Sequence, residues 1–373
     1  MGLVDHVPTR NTIDNWVRKC GLDELNCTPD DLENVDYAIL SDECMMIGSQ
    51  KLLPVVAIPA NHQGRPVKPE DVSVIGLNVA PAWNAENASA AMRENLSSVS
   101  HGPLYAVTDN NGMMKKSVSK LGIKWYNDIS HTLAMFMERT YKDDPEFVNF
   151  NKEMALCKMR YNMKEVAYLQ SPTQRTVARF MNLTSWVEWS DNVMSIFSCL
   201  SSMERDVFSY LPKYASFIEE MKDMIEGIRY IERVFKHDGL SKRNCLRCRT
   251  YVIRNIMCGN ERMRKVGHQI LEYLTSQEAL LNDNDVHNNS TDILESMFGA
   301  YKYMKSPNKL NGVTPLVLHL PVMLKYGEPS STTSYNVKQR LCNIKIRDIE
   351  SWKSKNLLPN LVAKRIQVLR LAT

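Results

Sequence analysis

Apolar positions along the chain change their spacing several times, and each change predicts a different kind of element. From Val7 to Leu22, VPTRNTIDNWVRKCGL places Ile13, Trp16, Val17 and Cys20 at helical spacing, with Thr12 as N-cap and Gly21 as stop. This predicts one short amphipathic helix carrying Arg10, Arg18 and Lys19. The polar, acidic stretch DELNCTPDDLEN reads as a linker. Three apolar runs follow, VDYAILSD, KLLPVVAIPA and VSVIGLNVAP, separated by Gly, Ser and Pro, and predict three consecutive strands. NAENASAAMRENLSS then predicts a helix, LYAVTD a fourth strand, MMKKSVSKLG a helix ended by Gly122, IKWYND a fifth strand and SHTLAMFMERTY another helix. The order β-β-β-α-β-α-β-α is not the alternation of a dinucleotide-binding fold.

From about residue 146 to 285 strand-like runs nearly vanish. FVNFNKEMALCKMRYNMKEVAYL, RTVARFMNLTSWVEWSDNVMSIFSCLSS, YASFIEEMKDMIEGIRYIERVFK and NERMRKVGHQILEYLTSQEALL all repeat apolar residues at i, i+3 and i+4. The polar loop NDNDVHNNST leads out of this block into DILESMFGAYKYMKS, again helical in pattern. Glu295 and Lys302 are seven residues apart there, two turns along one helix face, so both side chains can reach one site. An acid and a base so spaced also make an ordinary solvated stripe.

The 373 residues are enough for two domains, and 44% hydrophobic with 24% charged residues excludes a disordered chain. The start has no apolar signal region and no run of eighteen apolar residues occurs, so neither export nor a membrane span is expected. Nine cysteines without a regular framework suit reduced thiols. The expected location is therefore cytoplasmic. A net charge of +4 permits a polyanionic partner without arguing for one, because nucleic-acid binding rests on local basic patches.

The segment YAVTDNNG, Tyr105 to Gly112, poses the chemical question. An Asn-Gly hairpin would be followed by a second alternating strand. MMKKSVSKLG instead has the pattern of a short helix, so Asp109 is expected at the carboxyl end of a strand, where open α/β sheets bind ligands. Asp42 ends the first strand in the same way. If the first and fourth strands are neighbours, their carboxylates come together, and such a pair is costly unless a cation lies between them. Oxygen-ligated divalent metals answer that need and clamp the oxygens of a phosphodiester.

Asp42, Asp109 and Glu295, the last on a helix after a long insertion, resemble the D, D and E of the DDE transposases over roughly residues 35 to 305. VTDNNG resembles the family's strand-end S/T-D-g segment, NDISH after the fifth strand resembles a D-x-x-H of bacterial members, and Glu295 with Lys302 fits the E-x6-K spacing of the Y-R-E-K branch. Asn288 and Thr291 stand where that branch has its Tyr and Arg, and the insertion reads as helical where that branch's is largely β. The resemblance implies an α/β, ribonuclease H-like mixed sheet with helices, interrupted by a large all-α insertion. The expected division is a partial helix-turn-helix-like DNA-binding segment over 1–30, the first part of the core over 31–145, the insertion over 146–285, a returning core helix over 286–310 and a C-terminal region over 311–373.

It further implies that Asp42, Asp109 and Glu295 are catalytic and hold Mg2+ or Mn2+. Cleavage and strand transfer of double-stranded DNA at the ends of a mobile element would follow, by a dimer on DNA associated with the nucleoid. Lys302 would contact phosphates near the cut, with Lys305 and Lys309 extending the positive side. The opening helix resembles the recognition helix of a helix-turn-helix, which makes Arg10, Arg18 and Lys19 candidate DNA contacts. A nuclease of the same fold without strand transfer, and an inactive DNA-binding derivative, are the alternatives.

Weaker signals accompany these. Cys245 and Cys248 in CLRC, with Cys258 and His268 downstream, have the residue types of a zinc site, although a lone C-x2-C on a helix is more often coincidence. Trp186 and Trp189 could stack on a flipped base or simply fill a core. The run KRNCLRCRTYVIRN could track a DNA backbone or form a solvated face, and the basic tail from Val337 could pack on the core or add DNA contacts.

Overall fold

A computed structural model describes residues 7–42, 45–173, 183–306, 308–325 and 337–371. In chain order the elements are α1 (Arg10–Asp31), β1 (Tyr37–Ser41), β2 (Met45–Ile47), β3 (Gln50–Pro59), β4 (Ser73–Ala80), α2 (Ala85–Leu96), β5 (Tyr105–Thr108), α3 (Gly112–Ser119) and β6 (Lys124–Asn127). There follow α4 (Ile129–Tyr141), α5 (Pro145–Tyr161), α6 (Leu183–Ser195), α7 (Ser202–Val207), α8 (Ala215–Asp238), α9 (Lys242–Tyr251) and α10 (Glu261–Glu278). The chain ends with α11 (Asp292–Met304), α12 (His319–Lys325), α13 (Val337–Asn343), α14 (Ile346–Asn356) and α15 (Leu361–Leu371). Two units result, Met1–Asp128 with His287–Thr373, and Ile129–Val286.

The first unit is built on an open mixed sheet. Its order is β2-β3-β1-β5-β6, with β4 on the other edge of β3. β3 runs antiparallel to β1, β2 and β4, whereas β1, β5 and β6 are mutually parallel. β1 and β2 therefore lie end to end along one edge of β3. Their register slips by one residue between Ser41↔Val55 and Met45↔Leu52, and Asp42 sits at the start of that slip. The short β2 is the one strand that the apolar pattern did not separate.

On one face of the sheet Ile39, Leu53, Val55 and Ala106 pack with Ala88 and Met92 of α2 and Met114 and Val118 of α3. Further buried apolar contacts join Leu22 of α1 to Leu318, Ile344 and Ile349. Sequestering these groups from water is the main force holding the layers.

α1 departs from its sequence expectation in both limits. Its N-cap is Thr9, whose Oγ1 accepts from the Thr12 backbone N–H at 3.2 Å, and it continues past Gly21 to Asp31, well into the stretch read as a linker. Gly21 is there for a close approach: a Cβ on it would lie 1.6 Å from the Leu318 carbonyl oxygen. α1 packs on β4, α12, α13 and α14, so the opening segment is part of the first unit. Burial on α1 begins at Cys20. Ile13 and Trp16, expected on the buried face, are 46% and 43% exposed.

Among the described residues the regular elements of the second unit are all helices, as the periodicity predicts, and α4 belongs to it, so it begins at Ile129. Part of the helical reading, residues 174–182, lies outside the described residues. The rings of Phe147, Phe150, Trp186 and Phe217 meet at centroid distances of 5.2 to 6.3 Å. Beside them Arg262 bridges α5, α8 and α10. Its guanidinium donates to Asp144, Glu146 and Glu220 and lies 5.3 Å from the Phe217 ring centroid. Among the described residues no helix is long and apolar enough to cross a membrane.

Candidate functional site: three aspartates at parallel strand ends

Parallel pairing sets the level of each strand end. Ile39↔Ala106 and Leu40↔Val107 bring Asp42 level with Asp109, each following the last residue of its strand. Thr108↔Asn127 brings Asp109 level with Asp128, which follows β6. Three aspartates therefore stand in a row at the carboxyl edge of three adjacent parallel strands, the edge at which open α/β sheets take ligands. Asp42 is 2% exposed, Asp109 half-buried and Asp128 fully buried.

Local bonds make the edge rigid. The Asp128 N–H donates to Thr108 O at 2.9 Å, and the Thr108 hydroxyl donates to Asp109 O while accepting from Trp125 Nε1, both at 2.9 Å. Asp109 Oδ1 accepts from the Asn111 N–H at 3.2 Å, and Asn111 caps α3 by accepting from Met113 N. The segment that could have been a hairpin turn is thus a strand-to-helix loop, in which Asp109 has an Asx-turn bond as well as its place at the edge.

The returning chain crosses the same sheet before α11 starts. His287 bridges Asn61 and stacks on the Tyr105 ring at 4.3 Å, and the Asn288 N–H donates to the Tyr105 hydroxyl at 2.9 Å. At Thr291 both the backbone N–H and the hydroxyl donate to Asp128 Oδ2, at 2.6 and 3.1 Å. The start of α11 is in this way tied to the strand-end row, with Glu295 exposed in its first turn. The two positions that depart from the Y-R-E-K pattern, Asn288 and Thr291, are the ones that make these ties.

Donor type and placement at the sheet edge suit a hard divalent cation, because carboxylate oxygens are the ligands such ions prefer. Among the described residues, however, no three His, Cys, Asp or Glu side chains form a closed metal-ligand group, so Asp42, Asp109 and Glu295 do not converge on one point. Mutual repulsion of carboxylates opposes such convergence unless a cation compensates it.

The remaining candidates divide. Lys302 is exposed on α11, Lys305 caps its C-terminus and Lys309 lies in the short turn Lys309–Asn311. Of the basic residues on α1, Arg18 is paired with Asp14 at 2.5 Å and Lys19 donates to Leu341 O at 3.2 Å, while Arg10 is exposed in the first turn. In the run on α9, Lys242, Arg247 and Arg249 pair with Asp283, Asp238 and Glu278. Trp186 is core, and Trp189 donates to Leu169 O at 2.9 Å.

Cys245 and Cys248 are fully buried, burial pushes both thiols up to about 12, and among the described residues they belong to no group of three or more metal-ligating side chains. Cys258 and His268 are exposed.

Sequence reasoning missed the part played by Asp128. The signal was present, since IKWYND ends on an aspartate as the first and fourth predicted strands do, but its partner lies 163 residues away. Compared with models of known families and with curated proteins, the chain matches none.

Proposed function

We propose that the chain is a metal-dependent DNA strand-cleaving and strand-joining enzyme, a transposase of the DDE kind with a ribonuclease H-like core. The observation that carries this reading is the common level of Asp42 and Asp109 on adjacent parallel strands, in a sheet where β3 and β4 extend β1 on one side and β5 and β6 on the other. The start of α11 at Asp128 supports Glu295 as the third acid.

Asp42, Asp109 and Glu295 would hold Mg2+ or Mn2+. When bound, the ions supply activation of the attacking oxygen and neutralisation of charge on the leaving oxygen. The residues of the chain then have the task of positioning, which phosphoryl transfer mainly requires. The buried strand ends fix two carboxylates, α11 presents the third, and Lys302 lies two turns along the same helix to meet a phosphate. No side-chain nucleophile is needed. Double-stranded DNA is the substrate, two protomers bring two DNA ends together, and the enzyme works at the nucleoid in the cytoplasm.

The test is nicking and joining of labelled DNA carrying the sequences that flank the coding region, with Mg2+ or Mn2+, for the wild type and Asp109→Asn. Metal-dependent joining that the substitution abolishes upholds the reading. Metal-dependent cutting without joining reduces it to a nuclease. Absence of both, with DNA binding retained, overturns the enzymatic reading.

A further inference from the structure

The row of strand-end aspartates has three members, yet only two are needed beside Glu295, and the third is spent differently. Asp128 is fully buried, and one of its oxygens takes two hydrogen bonds from Thr291. Thr291 is the N-cap residue of α11, and its own side chain makes no capping bond. Its hydroxyl is turned to Asp128 instead. The N–H of the N-cap residue of this 13-residue helix is thus bonded from outside the helix, by a carboxylate at the end of β6, while Ser290 Oγ accepts from the Asp292 N–H at 3.3 Å. A negative group there suits the partial positive charge of a helix N-terminus.

The consequence is geometric. Glu295 follows Thr291 by four residues, about 6 Å of helix rise. Asp128 is itself level with Asp109 and Asp42 through backbone pairing. The most direct connection between the strand-end acids and Glu295 is therefore the Asp128–Thr291 pair, with the Asn288–Tyr105 bond three residues earlier in the chain. We propose that Asp128 is a positioning residue that fixes the start of α11, and with it Glu295, relative to the strand-end carboxylates, and that it is not a metal ligand. This rests on the function proposed above.

Three variants of the full chain test it: Asp128→Ala, Asp128→Asn and Thr291→Val, with Asp109→Asn as the ligand control. Amide exchange over residues 288–298 reads the hold on α11 directly. Mn2+ titration of the nicking of supercoiled DNA separates metal affinity from rate. Asp128→Ala should speed exchange in the first turn of α11 about tenfold. It should lower the nicking rate about 100-fold at saturating metal, the cost of a small misplacement, while the Mn2+ half-saturation stays within about threefold. Asp128→Asn, which keeps an acceptor but loses the charge, should fall between Asp128→Ala and the wild type. Thr291→Val keeps the backbone bond, should show a smaller change of the same kind, and serves if Asp128→Ala does not fold.

Unchanged exchange in Asp128→Ala would overturn the proposal. So would a rise in Mn2+ half-saturation as large as that of Asp109→Asn, which would make Asp128 a ligand. A wild type that neither binds Mn2+ nor nicks DNA would overturn the enzymatic reading and the catalytic purpose of the clamp, while faster exchange in Asp128→Ala would still uphold the clamp as a structural device.

Discussion

Asp42 and Asp109 are 67 residues apart in sequence and level with one another at the ends of two parallel strands. Placing like charges at one sheet edge works against folding, and a divalent cation relieves the cost. Excess Mg2+ should therefore raise the unfolding midpoint of the wild type. At a hundredfold excess over Kd the gain is about 2.7 kcal/mol, a shift of a few degrees. Asp109→Asn should lose most of that shift. Differential scanning fluorimetry with and without Mg2+ measures it, and an equal shift in both proteins would place the ion elsewhere.

Gly21 is the contact between α1 and the Leu318 backbone. In Gly21→Ala the new methyl group would meet the Leu318 carbonyl oxygen at 1.6 Å, so α1 has to move or the turn before α12 has to open. The expected cost is about 3 kcal/mol, the upper range for overpacking, even though alanine is the better helix former. Urea unfolding followed by far-UV dichroism is the check.

Arg262 neutralises three carboxylates in the helical unit, one of them the buried Glu220. Its own charged form is favoured further by these bonds, although burial opposes it. Arg262→Ala should cost about 3 to 5 kcal/mol, because it strands the buried Glu220. Combining it with Glu220→Gln should recover part of the loss, and a double-mutant cycle in urea measures the coupling.

His319 opens α12 with Nε2 2.8 Å from Asp14 Oδ1, and Asp14 in turn holds Arg18. The pair lines a cleft of about 610 Å³ that also borders Arg10, Tyr303 and Met304, at the end of α11 opposite Glu295. Burial lowers the imidazole below its ordinary value, outweighing the pull of Asp14 in the other direction. A histidine with a lowered folded value binds fewer protons folded than unfolded, so its contribution is whole above about pH 6.5 and is lost as pH falls toward the folded value. The unfolding midpoint should thus drop more between pH 7 and pH 5 in the wild type than in His319→Gln. Equal slopes would show that other groups govern acid stability.

Apart from the short β2, the order of strands and helices up to residue 141 follows from apolar periodicity, as does the helical character of the described residues of the second unit. That signal is local, because a pleated strand or a helix repeats its buried face within a few residues. The strand-end placement of Asp42 and Asp109 was legible for the same reason. Other features depended on partners distant in the chain. Gly21 looks like a helix stop until Leu318 is set against it. Lys19 looks like a free cation until Leu341 is seen to hold it. Asn288 and Thr291 look like departures from a pattern until Tyr105 and Asp128 accept them as partners. Periodicity along the chain states which face of an element is buried. Which element covers that face, and which helix start a buried carboxylate holds, is settled only when segments far apart in sequence pack together.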